Sequence, residues 1–488
     1  MPVLRNRPGR RRWDADEPGD DPRGNRPRRE RNAGPQAGMG PAVGYCAVAT
    51  VLAGVVGYGT HPVWAQYSHG LDFILLSRQL QWPFIALSLI ATLALLATII
   101  AGRRGAWWLI GLAPVLALFA HRFAMDPASG MAAIENPNFV APDASGAFVD
   151  NEDYVVGISF EGKNYAYPYA ALYSTPAVIH AQHDKHLLLM WSAPANRALA
   201  FTVAREVKAR DLDVVSTPAN ALLLYDTARG VFINGLTGRT SDGQKPHGFL
   251  SPVGTSKMPW WKWRVAHPDT QVMAPAGKLS AGAPRQPMRP VYPMPKMDLK
   301  QPAEASVAMI GLQRPAAMLS ASLSSAPVNL SADDAPVLAF RDPLTNIARA
   351  FRRKVDDLSP RFKLNRDTSR KDVLFIDTDT NSGWSAAGVA VEGKKEFRGK
   401  RLAPAPIEDE LYWGVMKYWY PELQLTSVEN GAPVKVLELN GAGAGGAGAA
   451  GAGASKETPQ AGEAGGKPAG TVSMKPARTG KPVGPKSR

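Results

Sequence analysis

Residues 154–169 read YVVGISFEGKNYAYPY, and this stretch decides the fold of the main domain. Two runs rich in β-branched and aromatic residues, 154–160 and 164–169, flank Glu161-Gly162-Lys163, which is a hairpin signal. Two further pairs of apolar runs follow, each pair joined by a short turn: 186–191 with 198–203, and 221–225 with 231–234. Short connections favour antiparallel pairing, because parallel strands need long crossovers. The sequence therefore predicts a β-rich segment over residues 150–273.

Residues 274–334 differ in composition from this segment. They are rich in Pro, Ala, Ser and Met and show little sustained periodicity, so they are predicted to be a linker. Beyond them, Ile347, Phe351, Val355 and Leu358 recur at helical spacing, which predicts an amphipathic helix. Strand-like runs and an aromatic stretch complete a second folded segment over residues 335–428.

The two folded segments share a set of landmarks. The matched pairs are Asp226-Thr227 with Asp377-Thr378, Phe232 with Trp384, Leu250-x-Pro252 with Leu402-x-Pro404, and Trp260-Trp261 with Tyr412-Trp413. Their separation along the chain is nearly constant, as in an internal repeat. The sequence thus predicts a mainly-β (α+β) domain built from two related segments.

Three apolar stretches precede this domain. A spanning helix needs roughly 20 apolar residues, because lipid offers the backbone no hydrogen-bonding partner. The run 79–102 contains no charged residue and meets this requirement, whereas a run before it is rich in Gly and the run after Arg104 is short. We predict transmembrane helices near 43–62, 82–101 and 105–122, within a membrane region of residues 43–122 and in contact with the lipid bilayer.

Basic residues predict the orientation of these helices. The Arg-rich arm and Arg103-Arg104 belong on the cytoplasmic side by the positive-inside rule. Three crossings then place the domain that follows outside the cytoplasm. The expected location is the plasma (inner) membrane, with the amino terminus in the cytoplasm.

The net charge of +14 comes mainly from the two ends of the chain. Residues 1–37 contribute +4 and residues 440–488 contribute +5. The arm, residues 1–42, and the Gly/Ala then Lys/Pro tail, 440–488, are predicted to be disordered because they lack the large apolar residues that form a core. Basic tails without a folded basic module do not indicate nucleic-acid binding. The single cysteine, Cys46, excludes a disulfide within the chain.

Several motifs resemble those of the bacterial family known as domain of unknown function 3179. The residues concerned are the run 153–168, the run 263–270, and the run 377–384 with the glycine-spaced residues Gly388, Glu392-Gly393 and 399–402 that follow it. Many members carry a Tyr-Cys-Pro-Leu-Cys run, and the matching stretch here is Trp191-Ser192-Ala193-Pro194-Ala195. The resemblance implies a domain type but no reaction, in a membrane-anchored member that lacks the cysteine pair of the family.

Two groups of residues are candidates for metal binding. His180, His183 and His186 would ligate zinc or another divalent ion if a turn brought their imidazoles together, and exposed loop histidines are the alternative. Asp377, Asp379 and Asn381 occupy the first three ligand positions of a calcium-loop pattern that then fails at Ser382 and Gly388. A polar turn held by Asx hydrogen bonds accounts for the same residues.

Aromatic residues supply a third candidate. Tyr165 and Tyr167 share one face of a predicted strand, and Trp261 belongs to a Trp-rich cluster. Such rings would stack on a sugar or a cyclic ligand, although aromatic side chains of small β domains more often form the core.

The sequence carries no complete catalytic motif, so no catalytic residue, cofactor or enzymatic reaction is assigned. We expect a membrane-anchored extracytoplasmic module that binds or scaffolds another component of the cell envelope, either a protein or an anionic wall polymer. The alternative is an extracytoplasmic metal-dependent enzyme or metal-binding protein that uses the histidines at 180, 183 and 186.

Overall fold

The computed structural model describes residues 40–103, 106–429 and 432–434. A helical region comes first, and from about residue 128 onward the chain is mainly β, as predicted. The predicted tail 440–488 and all but the last three residues of the predicted arm lie outside the described residues.

The helical region consists of α1 (Gly40–Tyr58), α2 (Gly70–Gln79), α3 (Gln81–Thr98) and α4 (Ala113–Ala120). By length and composition, α1 and the stretch Gln81–Ala101 that includes α3 are each sufficient to cross a membrane. Ser88 Oγ of α3 donates a hydrogen bond to Ala49 O of α1 at 3.1 Å. Large apolar side chains of α3 such as Leu89 and Ile90 are exposed. Two of the three predicted spans are thus present as long apolar helices.

The third predicted span, 105–122, is wrong as a single spanning helix. It consists of a 3₁₀ turn (Ala106–Leu112), the eight residues of α4 and a π turn (His121–Met125). Pro114 lies in the first turn of α4, where a residue without a backbone N–H is tolerated. The same residue cannot donate a hydrogen bond back into the preceding turn, so the stretch is not a continuous α-helix. Its apolar helix, Leu109–Ala124, is shorter than a spanning helix needs.

This broken third segment packs along α1. Gly111 lies beside Cys46, Gly57 lies beside Leu118, and His121 Nδ1 is 3.1 Å from Gly57 O. Later residues of the third segment contact later residues of α1. The third segment therefore runs parallel to α1 over most of its length.

The connection between α1 and α3 is attached to the β domain. Ile74 of α2 is fully buried in a cluster with Val215 and Phe232 of that domain. Arg78 Nη2 donates a hydrogen bond to Asp213 Oδ2 at 2.5 Å. Because this connection and the β domain share a core, they lie on the same side of the helical region.

The first part of the β domain contains strands β1 to β14 and two short helices. They are β1 (Ala133–Glu135), β2 (Phe139–Val140), β3 (Tyr154–Phe160), β4 (Lys163–Pro168), α5 (Tyr169–Leu172), β5 (Ala177–Gln182), β6 (Lys185–Ser192), β7 (Arg197–Val203), β8 (Leu212–Ser216), β9 (Leu223–Asp226), β10 (Val231–Asn234), β11 (Arg239–Thr240), β12 (Phe249–Val253), β13 (Ser256–Pro259), α6 (Trp260–Ala266) and β14 (Gln271–Met273).

These strands form three sheets, in the orders β1-β5-β6-β7-β12, β11-β10-β9-β8 and β13-β3-β4-β14-β2. The hairpin predicted at the opening stretch is confirmed, since β3 and β4 pair antiparallel up to Phe160 and Lys163. Glu161 and Gly162 form its turn with φ values of 49° and 75°. Positive φ at both central residues is the type I′ geometry, one of the two that two-residue hairpins favour.

The second part of the β domain contains the remaining strands and one helix. They are β15 (Ser306–Ile310), β16 (Ala316–Leu319), β17 (Val328–Ala332), β18 (Ala335–Arg341), β19 (Ala348–Arg352), β20 (Phe362–Leu364), β21 (Phe375–Asp377), β22 (Gly383–Trp384), β23 (Ala390–Glu392), β24 (Ile407–Tyr412), α7 (Trp413–Trp419), β25 (Leu425–Glu429) and β26 (Ala432–Val434). The sheet orders are β24-β15-β16-β25-β26, β17-β18-β19 and β20-β21-β22-β23.

Two predictions for this part are wrong. The linker predicted at 274–334 contains β15, β16 and β17, and Val307, Ala308 and Met318 within it are fully buried. The amphipathic helix predicted around Phe351 is wrong, because this residue lies in strand β19. There Phe351 is paired with Leu338 of β18. In both places the residues are stabilised by pairing with other strands of a sheet. This tertiary context overrides the conformation that the local composition favours.

The core surrounds the sheet β1-β5-β6-β7-β12 on both faces. Leu187 and Leu189 of β6 pack on one side of it, and Leu188 and Met190 pack on the other. A strand buried on both faces has a continuous apolar sequence instead of an alternating one. This explains why residues 187–191 are all apolar.

Candidate functional site

The three histidines predicted to bind a metal do not converge. His180 of β5 is paired with Leu187, and His186 of β6 is paired with Ala181, so the two imidazoles point to opposite faces of the sheet. His183 is exposed in the turn between these strands, with φ of 53°. Among the described residues, no group of three His, Cys, Asp or Glu side chains is arranged to hold a metal ion.

His180 instead belongs to the aromatic core. Its Nδ1 lies 2.9 Å from Tyr167 OH, and the rings of Phe139 and Phe160 meet it edge-on. Burial lowers the pKa of His180 to about 4, because the charged imidazolium would lose its hydration, and the charge of His186 adds to this effect. His180 is therefore neutral at physiological pH.

Asp377 stabilises a polar turn through hydrogen bonds, which is the alternative to a calcium site given above for this motif. Its Oδ1 accepts a hydrogen bond from the N–H of Asp379 at 3.0 Å, and its Oδ2 accepts one from the Thr380 hydroxyl. Asn381 adopts φ of 56° and donates its N–H to Asp377 O at 2.9 Å. The carboxylate of Asp377 is buried and already engaged within its own turn.

The three aromatic candidates lie in two environments, the core and the surface. Tyr165 and Tyr167 are 2% and 0% exposed and donate or share hydrogen bonds with Gln182 and His180, so both rings are part of the core. Trp261 of α6 is 42% exposed and has Lys262 Nζ 5.5 Å from its ring centroid. Trp261 is therefore the one of the three that is exposed at the surface.

A cleft that does not follow from any sequence motif lies where the two parts of the β domain meet. Its volume is about 600 Å³. Strands β12 and β13 and helix α6 line one side, and strands β19 and β24 line the other. Both parts of the domain therefore contribute to one concave surface.

Three polar side chains form the centre of this cleft. Tyr154 OH is 3.4 Å from Glu410 Oε1, and Lys257 Nζ donates a hydrogen bond to Asn196 O. Glu410 Oε2 is buried, and no hydrogen-bond donor among the described residues reaches it. A buried oxygen without a partner is costly, and such groups are often explained by function.

A β-bulge places Glu410 in this position. Val307 of β15 pairs with Leu411 and Met309 pairs with Glu408, so two residues of β24 lie opposite a single residue of β15. Glu410 has φ of 58°, which is the left-handed region that residues with a side chain rarely adopt. Bulges and strained backbone of this kind concentrate next to functional sites, where they re-aim a side chain.

The two acids before Glu410 are neutralised by arginines. Glu408 Oε2 is 2.9 Å from Nε of the fully buried Arg197, and Asp409 pairs with Arg341. Glu410 is thus the acid of this run without an arginine partner among the described residues.

Burial alters the acid–base properties of the central residues. It lowers the pKa of Lys257, an effect that the charges of Glu408 and Glu410 oppose. It raises the pKa of Glu410, and burial together with the charge of Glu410 raises the pKa of Tyr154 to about 12. Each shift favours the neutral form of its group.

One signal in the sequence marks this site. Glu408, Asp409 and Glu410 are three consecutive acids inside a strand, where a half-buried strand would alternate polar and apolar residues. Lys257 and Tyr154 carry no comparable signal, because they become neighbours of Glu410 only through folding.

The structure thus defines a mainly-β protein with amino-terminal apolar helices and a charged cleft at the junction of two β parts. A family model described as "Protein of unknown function (DUF3179)" matches residues 128–423. The chain belongs to this family. No curated protein and no solved structure matched the chain.

Proposed function

We propose that this protein is a membrane-anchored binding protein whose β domain takes up a segment of another envelope protein in the cleft around Lys257 and Glu410. The observation that carries the proposal is the unpartnered buried oxygen of Glu410, held at a strained bulge beside a lysine. No covalent step is assigned to these residues.

The charges of the cleft favour a polypeptide as the ligand. Lys257, Lys262 and Arg349 line it together with Asp409 and Glu410, so both signs of charge are present. A uniformly anionic wall polymer would be repelled by the acids, whereas a peptide offers backbone donors and acceptors as well as charges of either sign. A peptide N–H would satisfy Glu410 Oε2.

Membrane anchoring is supported by the helical region. The exposed apolar surface of α3 suits contact with lipid. The third segment runs parallel to α1, so it would cross beside α1 despite its irregular backbone, which neighbouring helices can shield from lipid. The β domain would then lie opposite the amino terminus of α1, and the positive-inside rule places it outside the cytoplasm.

Residues 191–195, which the family resemblance matches to a cysteine run, have structural roles in this protein. Trp191 is buried there, and Ser192 Oγ accepts a hydrogen bond from the N–H of Leu222 at 2.9 Å. Pro194 and Ala195 continue in a buried 3₁₀ turn. These residues have structural roles, and none of them is a thiol.

We also propose that the two β parts are related segments. The strand order β13-β3-β4-β14 and the order β24-β15-β16-β25 have the same connectivity, and the 7-residue helices α6 and α7 follow β13 and β24. The last pair in each order, β4 with β14 and β16 with β25, is parallel. Superposition of the two parts in an experimental structure tests this relation, and discordant strand directions would refute it.

Photo-crosslinking in intact cells tests the binding function. A crosslinking amino acid at Ile347, which lines the cleft, should give discrete adducts with another envelope protein. The same amino acid at the exposed Lys278, outside the cleft, is the control. Adducts that disappear in a Glu410→Gln variant support the proposal, and adducts of equal yield at both positions contradict it.

Cysteine labelling tests the orientation. Cys46 is the only cysteine, so a Cys46→Ala, Ser241→Cys variant presents one thiol at an exposed position of the β domain. A membrane-impermeant maleimide should label it in cells whose outer barrier has been opened and whose inner membrane is intact. Labelling that requires lysis would place the domain in the cytoplasm.

A further inference from the structure

A second concave surface lies at the boundary between the helical region and the β domain. Its volume is about 450 Å³. The end of α2 contributes Arg78, the start of α3 contributes Trp82 and the end of the third segment contributes Arg122. The β domain contributes Arg210 and Asp213. Three guanidinium groups therefore surround a pocket at the level where the apolar helices end.

Arg122 is the residue that points to a ligand. Its side chain is only 11% exposed, and its nearest acid, Asp126 Oδ2, is 3.8 Å from Nη1, which is beyond hydrogen-bonding distance. No acceptor among the described residues takes a hydrogen bond from Arg122 Nε, although that atom is buried. Arg122 is thus paired with Asp126 only at long range, without the close, planar contact to an oxyanion that a guanidinium binds best.

The other two arginines differ in how strongly they are engaged. Arg78 is held by Asp213 at 2.5 Å and lies over the ring of Tyr225. Arg210 is 83% exposed and is 3.8 Å from Asp211, so its guanidinium is available. Arg78 thus shapes the pocket, while Arg122 and Arg210 are left to bind an anion.

The side chains at the edge of the pocket identify the source of the anion. Trp82 and Phe123 are 69% and 57% exposed, and both line the pocket at the ends of apolar segments. Aromatic rings in this position are typical of the headgroup region of a bilayer. A soluble anion would gain nothing from two exposed aromatic side chains, whereas the glycerol and upper acyl chains of a lipid would pack on them.

We propose that this pocket binds the phosphate headgroup of an anionic phospholipid, with Arg122 and Arg210 as donors to the phosphate oxygens. The inference rests on the membrane anchoring proposed above. Bound lipid would fix the β domain against the membrane, because Arg122 and Arg210 come from the two regions that meet at the pocket.

Native mass spectrometry of the full chain tests this site. The protein is reconstituted in nanodiscs that contain either phosphatidylcholine alone or phosphatidylcholine with phosphatidylglycerol, and retained lipid is counted after detergent exchange. The wild type should retain phosphatidylglycerol. The Arg122→Gln, Arg210→Gln variant should retain roughly twenty-five-fold less, since each arginine near an anionic surface is worth about fivefold.

Controls separate the possible causes of a loss. Arg205→Gln removes the same charge from an exposed arginine outside the pocket and should leave retention unchanged. Arg210→Gln alone alters an exposed side chain and tests the site if the double variant does not fold. Equal retention of both lipids by the wild type, or equal loss in the Arg205→Gln variant, would overturn the proposal.

Inorganic phosphate distinguishes a soluble anion from a lipid. Thermal stabilisation by phosphate in phosphatidylcholine nanodiscs, of the same size as that by phosphatidylglycerol, would identify a soluble-anion site and overturn the lipid assignment. Carbonate extraction of cell membranes is measured in parallel. Release of the wild type into the soluble fraction would refute the anchoring itself, whereas retention without lipid preference would refute only the headgroup site.

Discussion

Glu410 combines three unfavourable features at one residue. Its backbone is left-handed, its carboxyl group is half-buried, and its Oε2 has no donor among the described residues. Each of these costs stability, and residues of this kind persist when the surrounding structure holds them in place. Here the pairing of β24 with β15 and the arginine partners of the two preceding acids hold the chain.

We expect the Glu410→Gln variant to be more stable than the wild type at neutral pH. The pKa of Glu410 in the folded state is raised above its usual 4.5. The protonated side chain therefore stabilises the folded state fully below pH 4.5, and this stabilisation is lost as the pH rises through the folded-state pKa. Glutamine does not ionise, so the variant does not lose this stabilisation as the pH rises. Urea unfolding of the detergent-solubilised protein at acid and neutral pH measures the difference, with Glu422→Gln, an exposed acid, as the control.

His180 makes stability depend on pH in the opposite sense. Its pKa of about 4 in the folded state is below the usual 6.5. The neutral imidazole therefore stabilises the folded state fully above pH 6.5, and this stabilisation is lost as the pH falls towards 4. The full loss is on the order of 3 kcal/mol, given about 1.4 kcal/mol per pKa unit.

A His180→Gln variant keeps a polar partner for Tyr167 and removes the titration. The decrease in its free energy of unfolding between neutral and acid pH should therefore be smaller than that of the wild type. The exposed His183→Gln variant serves as the control and should retain the wild-type pH dependence. An unchanged pH dependence in His180→Gln would contradict the assignment of a neutral buried imidazole.

The sequence indicated the types of these residues but not their surroundings. His180, His183 and His186 are close along the chain, yet the alternation of side chains on paired strands separates His180 from His186. Lys257 and Glu410 are far apart along the chain and meet in one cleft. Local spacing predicts contacts within an element and cannot predict contacts between distant elements.

At the scale of elements, strand β3 and helix α6 are in close contact. The Cα of Gly157 faces the ring of Trp263, and a methyl group on it would lie 2.3 Å from Trp263 Cε3. Trp263 is 3% exposed and its Nε1 donates a hydrogen bond to Thr270 Oγ1 at 2.9 Å, so the ring has little freedom to move.

We therefore expect Gly157→Ala to destabilise the β domain by roughly 1–3 kcal/mol, the usual cost of overpacking. The midpoint of chemical unfolding, followed by tryptophan fluorescence, measures the change. Gly146→Ala is the matched control, since a methyl group at Gly146 meets no atom within 4 Å. Equal effects of the two substitutions would show that β3 and α6 are not packed as described.

The elements predicted correctly are those whose own residues determine their conformation. The hairpin of β3 and β4 carries its turn residues, and α1 and α3 carry long apolar runs. Strands β15 to β17 lie in a region whose Pro, Ala and Ser content resembles a linker, and their pairing partners are β24, β25 and β18. Such strands form because a partner strand is available, which composition does not reveal.

At the scale of the whole molecule, Arg197 joins the two parts of the β domain. It begins β7 in the first part, is 0% exposed, and contacts Glu408, Met309 and Tyr420 of the second part. The cleft around Lys257 lies at the same junction. The relative position of the two parts, and with it the shape of the cleft, depends on this buried ion pair.

Removal of Arg197 should be strongly destabilising, whereas removal of the whole pair should not. Arg197→Met leaves Glu408 buried without its cation, which typically costs about 3–5 kcal/mol. The Arg197→Met, Glu408→Gln double variant removes that unpaired charge and should recover most of the loss. Arg205→Met is the control, because its pair with Asp184 is exposed, and such pairs contribute about 1 kcal/mol or less. Chemical unfolding of the wild type, the Arg197→Met and Glu408→Gln single variants and the double variant measures the coupling between the two residues. Additive effects of the Arg197 and Glu408 substitutions would mean that the pair does not hold the two parts together.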